Sequence, residues 1–122
     1  MERICYAMHR LPNLSLEQFQ SYWLKTHGPL AGRHLRTVGA QRYAQVHTLV
    51  DPLNEVLRAS RGCIEPFDGI AEILWDREEM LRATSTPEGL KAMGELQEDE
   101  KNFIDFSRSA MWIAKEHVIF ER

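Results

Sequence analysis

The 122-residue chain is poor in cysteine, and its two thiols, Cys5 and Cys63, stand too far apart for a C-x-x-C pair. That excludes a disulfide-knotted scaffold and leaves neither a zinc motif nor a thioredoxin-type redox motif. The five histidines, His9, His27, His34, His47 and His117, form no H-x-x-x-H or H-E-x-x-H pair, so no metal motif is present. A G-x-G-x-x-G turn, a Walker loop and a G-x-S-x-G elbow are missing too. Cofactor-free chemistry or plain binding remains, with no cofactor and no metal expected. No window approaches the roughly 20 consecutive apolar residues that span a bilayer. The start, Met1-Glu2-Arg3-Ile4-Cys5-Tyr6, lacks a charged leader followed by an apolar stretch, and a cytoplasmic location with reduced thiols is expected. Charge of one sign is also lacking. With 18 acidic and 15 basic residues and a net charge of -3, the chain has no electrostatic reason to hold nucleic acid or an anionic membrane.

What is present is an ordinary globular balance, 43% hydrophobic and 27% charged, in a length that suits one domain over residues 1–122. Alternation over Arg3–Met8 predicts a strand. Ser15 and Gln18 form a capping box before a helix whose Leu16, Phe19, Trp23 and His27 share one face. Gly28-Pro29 is expected to close that helix, with a short one over Leu30–Thr37 behind it. Strands are predicted at Gln41–Val50, Gly69–Trp75 and Ser109–Ile119, and a short helix or ordered loop at Pro52–Arg58. Asp76 with Glu79, and Pro87, open two further helical pieces, the second striped by Leu90, Met93, Leu96 and Phe103. Glu95, Glu98, Asp99 and Glu100 read as the solvated side of that helix rather than a metal site. The order β-α-β-β-α-β predicts an α+β, ferredoxin-like fold with a four-stranded antiparallel sheet and both main helices on one face. The uncovered sheet face carries apolar residues, and a second copy is its simplest partner, so a homodimer is expected.

His27 sits on the apolar stripe in the last turn before Gly28-Pro29. Two readings stand. It is a structural histidine bonded to a carbonyl, or it is a general acid or base whose imidazolium the helix end favours and burial opposes. Tyr43, Gln45 and His47 share one strand face at period two, facing either solvent or a pocket under the helices together with His27. In the pocket reading Glu72 and Trp112 join them; otherwise Glu72 lies inside a dimer barrel or pairs with an arginine. Phe19, Tyr22 and Trp23 read first as helix packing, though aromatic side chains around a few polar groups also suit a flat ligand.

The run Phe19-x-x-Tyr22-Trp23-x-x-Thr26-His27-Gly28-Pro29-Leu30 resembles the signature of EthD proteins. Arg42-Tyr43-x-Gln45-x-His47, Asp68-Gly69-Ile70-Ala71-Glu72 and Glu116-His117-Val118-Ile119 are similar to the family's second, third and closing strands. The resemblance implies a dimeric α/β barrel in which the sheets of two ferredoxin-like subunits pack face to face. Superfamily relatives include cofactor-free monooxygenases of polyketide quinols, muconolactone isomerases and polyketide cyclases or dehydratases. The family's histidine falls on His27 and its strand-two polar residues on Tyr43 and His47, which gives these three a catalytic role. Phe19, Tyr22, Trp23, Gln45, Glu72 and Trp112 are then substrate-binding. The expected activity is a cofactor-independent dehydratase, isomerase or monooxygenase acting on an aromatic, quinonoid, lactone-like or polyketide-like molecule. The alternatives are a non-catalytic binding or accessory protein of an oxygenase system, and an assembly protein. One departure is the stretch Asp51–Asp68, longer than a minimal family member needs.

Overall fold

The computed structural model describes residues 1–122. β1 (Glu2–Met8) and β3 (Gly69–Trp75) pair antiparallel along their full lengths, Glu2 opposite Trp75 and Met8 opposite Gly69. β2 (Arg42–His47) flanks β3 and β4 (Ala110–Ala114) flanks β1, giving a four-stranded antiparallel sheet in the order β2-β3-β1-β4. The α+β, ferredoxin-like arrangement is therefore present.

Two strands are shorter than the alternation predicts, because a strand ends where its partner does. His47 is already opposite Gly69, the first residue of β3, and Ala114 is opposite Arg3 near the start of β1. Past those points the apolar alternation of Leu49–Val50 and of Val118–Phe120 has no ladder to join, and these side chains are exposed.

The helices follow their start signals. Ser15 and Gln18 close the reciprocal capping box of α1 (Leu16–Tyr22). Asp51 Oδ1 accepts from the Leu53 amide at the start of α3 (Leu53–Arg61), which runs three residues past the predicted end until Gly62 takes the left-handed conformation. Asp76 caps α4 (Arg77–Thr84), and Thr86 with Pro87 opens α5 (Pro87–Glu100). No helix is long and apolar enough to cross a membrane.

Gly28-Pro29 does not close the first helix. Trp23–His27 widen into a π turn, in which the Gly28 amide reaches the Trp23 carbonyl, and α2 (Gly28–Thr37) continues from it. Proline lacks only a donor that the first turn of a new helix leaves unpaired anyway, so Pro29 fits at its start.

The core lies between the helices and one sheet face. Phe19, Trp23 and Phe103 meet Tyr6, Met8 and Ala71, while Ala31, Leu35 and Leu96 meet Ile73 and Trp75. Leu90 belongs to the opposite side of α5 and is exposed; the inner stripe runs through Gly89, Ala92 and Leu96.

Candidate active site

The site is assembled from β1, β2, the π turn and the end of α5. Trp23 lies flat against the sheet, where a Cβ on Gly69 would come within 2.4 Å of its ring; only glycine leaves that space. The indole stacks on the His47 imidazole, centroids 4.3 Å apart and 19° from parallel. Tyr43, Gln45 and His47 are opposite Ile73, Ala71 and Gly69, so they face the helices and not solvent. Their polar atoms satisfy one another. Gln45 Nε2 donates to the Trp23 carbonyl at 2.9 Å and to the Tyr43 hydroxyl at 2.8 Å, and Gln45 Oε1 is 2.8 Å from His47 Nε2. Burial raises the Tyr43 pKa and lowers that of His47, favouring the neutral form of each.

His27, 6% exposed, ends the π turn. Because the helix runs on, no free helix end supports its charge. Its partner is Asp99 on α5, whose Oδ2 is 2.7 Å from His27 Nδ1. Tyr22 Oη donates to Asp99 Oδ1 at 2.6 Å, Asn102 Nδ2 donates to the same oxygen at 3.2 Å, and Phe103 packs against the imidazole at 4.9 Å. Burial pulls the His27 pKa down more than Asp99 lifts it, which leaves the imidazole neutral at pH 7. Burial alone would raise the Asp99 pKa, but hydrogen bonds from Tyr22, His27 and Asn102 outweigh it and hold the carboxyl below its ordinary value. An ionised Asp99 assigns the proton to Nδ1 and leaves Nε2 as the basic nitrogen.

Glu100, the next residue, is directed elsewhere. Its Oε1 accepts from Tyr6 Oη at 3.1 Å, and it lines a cavity of about 580 Å³ between the sheet and helices α2, α4 and α5. Ten of the fourteen lining residues are hydrophobic, among them Ile73, Trp75, Met93 and Leu96. Sites for drug-sized ligands span roughly 300–1,000 Å³. Glu100 is the only charged group in the lining. Burial pushes its pKa up to about 7; the Asp99 charge adds to the rise and the Tyr6 hydrogen bond opposes it.

The sequence-derived candidates therefore divide. Phe19, Tyr22, Trp23, His27, Tyr43, Gln45 and His47 come together under the helices, but none of them lines the cavity. Glu72 and Trp112 are a correction. They stand opposite Cys5 in the ladder and share the open face of the sheet with it, away from His27. Glu72 Oε2 binds Arg3 Nη1 at 3.0 Å, the arginine pairing that was its other reading. Asp99 and Glu100 are the second correction, since they turn inward rather than to solvent. Their signal is spacing: Glu100 is four residues and Phe103 seven after Leu96, and Asp99 is seven after Ala92.

The fold has counterparts in known proteins. An EthD family protein from Bacillus halodurans C-125 superposes with a TM-score of 0.59 at 18% identity, over 96% of this chain and 100% of that one. SnoaB from Streptomyces nogalater, described as a cofactor-independent oxygenase, gives 0.53 at 12% identity over 98% and 97%. A DABB family protein with a ferredoxin-like fold from Mesorhizobium loti MAFF303099 gives 0.52 at 13% over 96% and 97%. At such identities the likeness establishes the fold alone. No curated protein sequence matches the chain significantly. The profile of the EthD domain matches residues 11–107, a span that holds the His27 helix, β2, β3 and α5, and the chain belongs to the EthD domain family.

Proposed function

We propose that this EthD-domain chain is a cofactor-independent enzyme that moves a proton on a flat, largely apolar molecule of aromatic, quinonoid or lactone-like type. The observation that carries the reading is the cavity over the sheet, apolar on most of its wall and carrying one carboxyl, Glu100, whose neighbour on α5, Asp99, binds the His27 imidazole outside the lining. Dehydration or isomerisation needs little more than such acid–base groups. The fold shared with SnoaB, described as a cofactor-independent oxygenase, agrees with chemistry that needs no bound cofactor. In this reading His27 is a general acid–base, neutral by burial and oriented by Asp99, with Tyr43 and His47 supporting it. The protein works in the cytoplasm as a homodimer joined across the open sheet face, where Val46 and Trp112 stand half exposed.

A second reading, a binding or accessory protein of a catabolic system, is favoured by one observation: His27, Tyr43 and His47 do not line the cavity. Wild type and His27→Ala incubated with a panel of phenols, quinols and lactones separate the two. Mass spectrometry and retention time read conversion, thermal shift reads binding, and sedimentation reads the dimer. Conversion by wild type that falls about 100-fold or more in a folded, dimeric His27→Ala supports the enzyme. Stabilisation of both proteins without conversion supports the binding protein, and a monomer in solution overturns the pairing.

A further inference from the structure

Glu100 is a carboxyl without a cation. The cavity it lines holds no Lys, Arg or His, and its other polar members are Tyr6, Thr84, Gln97 and Ser109. The titratable groups that act on it are Tyr6 from β1, which donates the one hydrogen bond it receives, Asp99 on its own helix, and Tyr43 from β2, which senses its charge. An ionised carboxylate in such a setting is costly, and the chain's other inward or paired carboxylates are compensated, Glu72 by Arg3 and Asp99 by three donors, whereas Glu100 has Tyr6 alone. With Oε1 occupied by Tyr6, Oε2 is the oxygen left for a ligand.

We propose that Glu100, with Tyr6 beside it, is the group of this cavity that takes and returns the substrate's proton, and that the cavity selects uncharged molecules over anions. The proposal rests on the enzyme reading for its first half only. In the step, a substrate O–H or an acidic C–H bond breaks and a Glu100 O–H bond forms. The electron pair stays on the substrate, delocalised toward an oxygen, and the proton returns to the product at another position or to a leaving hydroxyl. No oxidant is consumed. A carboxyl pushed up to about 7 matches the demand that such a group both accept and release a proton near neutrality. The first half keeps the enzyme reading but puts Glu100 in the place of His27, which does not line the cavity, as the group that meets the substrate; His27 and Asp99 are then positioning residues that hold the end of α5 against the sheet.

The test uses Glu100→Gln, nearly isosteric, and Glu100→Ala as a second variant, each checked for fold by circular dichroism. On whichever panel compound wild type converts, kcat should fall about 100-fold or more in both, and sodium formate should restore part of the loss in Glu100→Ala alone. The binding arm uses 2-naphthol and 2-naphthoate as probes. In wild type the affinity for 2-naphthoate should drop about tenfold between pH 5.5 and pH 8 while that for 2-naphthol does not, and Glu100→Gln should abolish the drop. Turnover retained by folded Glu100→Gln overturns the assignment of the base and leaves the enzyme reading intact. If wild type converts nothing, the enzyme reading fails and the naphthoate arm alone decides. A drop confined to wild type supports selection by Glu100; affinities with equal pH dependence in both proteins overturn it.

Discussion

Asp99 and Glu100 are neighbours on one helix, yet one is held ionised and the other is pushed toward neutrality. Asp99 sits in a corner with three donors, Tyr22, His27 and Asn102, and its proton affinity falls. Glu100 has one donor and an apolar cavity, and its pKa rises to about 7. The residues share a backbone and differ by one methylene; hydrogen bonds and desolvation set the opposite outcomes. Carboxyls pulled apart in this way supply one group that stays charged and one that can exchange a proton.

The contrast can be broken at the packing beneath it. Phe103 is fully buried and touches Phe19, Tyr22 and His27. Phe103→Ala should cost about 3–5 kcal/mol in urea denaturation and loosen the Asp99 corner first. If the charge selection at Glu100 disappears with it, the corner and the cavity are one unit and not two.

A smaller effect separates the carboxyls themselves. Asp99→Asn removes a charged acceptor of three bonds and should cost about 1.5–3 kcal/mol at pH 7, whereas Glu100→Gln should leave stability unchanged or raise it. Equal losses at the two positions would erase the distinction drawn between them.

A slope against pH sharpens the same contrast. The unfolded Glu100 titrates near its free value of about 4.3 and the folded one about 7, so its neutral form contributes fully below about 4. As pH rises the unfolded chain loses the proton first, and that contribution fades up to about 7. Asp99 has the opposite sign: its folded value is depressed, so its contribution holds above about 3.9 and is lost as pH falls through the folded value. Wild-type stability minus that of Glu100→Gln should therefore decrease by about 3 kcal/mol between pH 4.5 and pH 7.5. A flat difference would mean that Glu100 is solvated.

Local features were legible in the sequence and partnered ones were not. The Ser15–Gln18 box, the Asp76 cap, Pro87 and the full span of β3 each depend on residues within one turn or one strand, and all are found. The ends of β2 and β4 depend on where β3 and β1 stop, which the alternation of a single strand does not carry. Tyr43, Gln45 and His47 share a face by parity, but which face they share is settled by register against Ile73, Ala71 and Gly69. Parity within β3 also places Glu72 opposite Ala71 and Ile73, on the face without helices, a signal available from the strand alone. On α5 the charges of Glu95 and Glu98 masked the phase of Asp99 and Glu100, although Leu96 and Phe103 mark the inner side. The proline rule failed because a helix can widen rather than end.

That widening also keeps time along the helix. Side chains spaced by four overshoot one α-helical turn by about 40°, so a stripe through Phe19, Trp23 and a third such residue would wind away from the sheet. A π turn carries more residues per revolution, and the same four-residue step across it falls short by roughly as much. The lag cancels the lead, and Phe19, Trp23 and His27 keep a common azimuth over the core. The wide turn is thus a phase correction: without it, His27 would arrive rotated off Asp99, and the corner that separates the two carboxyls would not close.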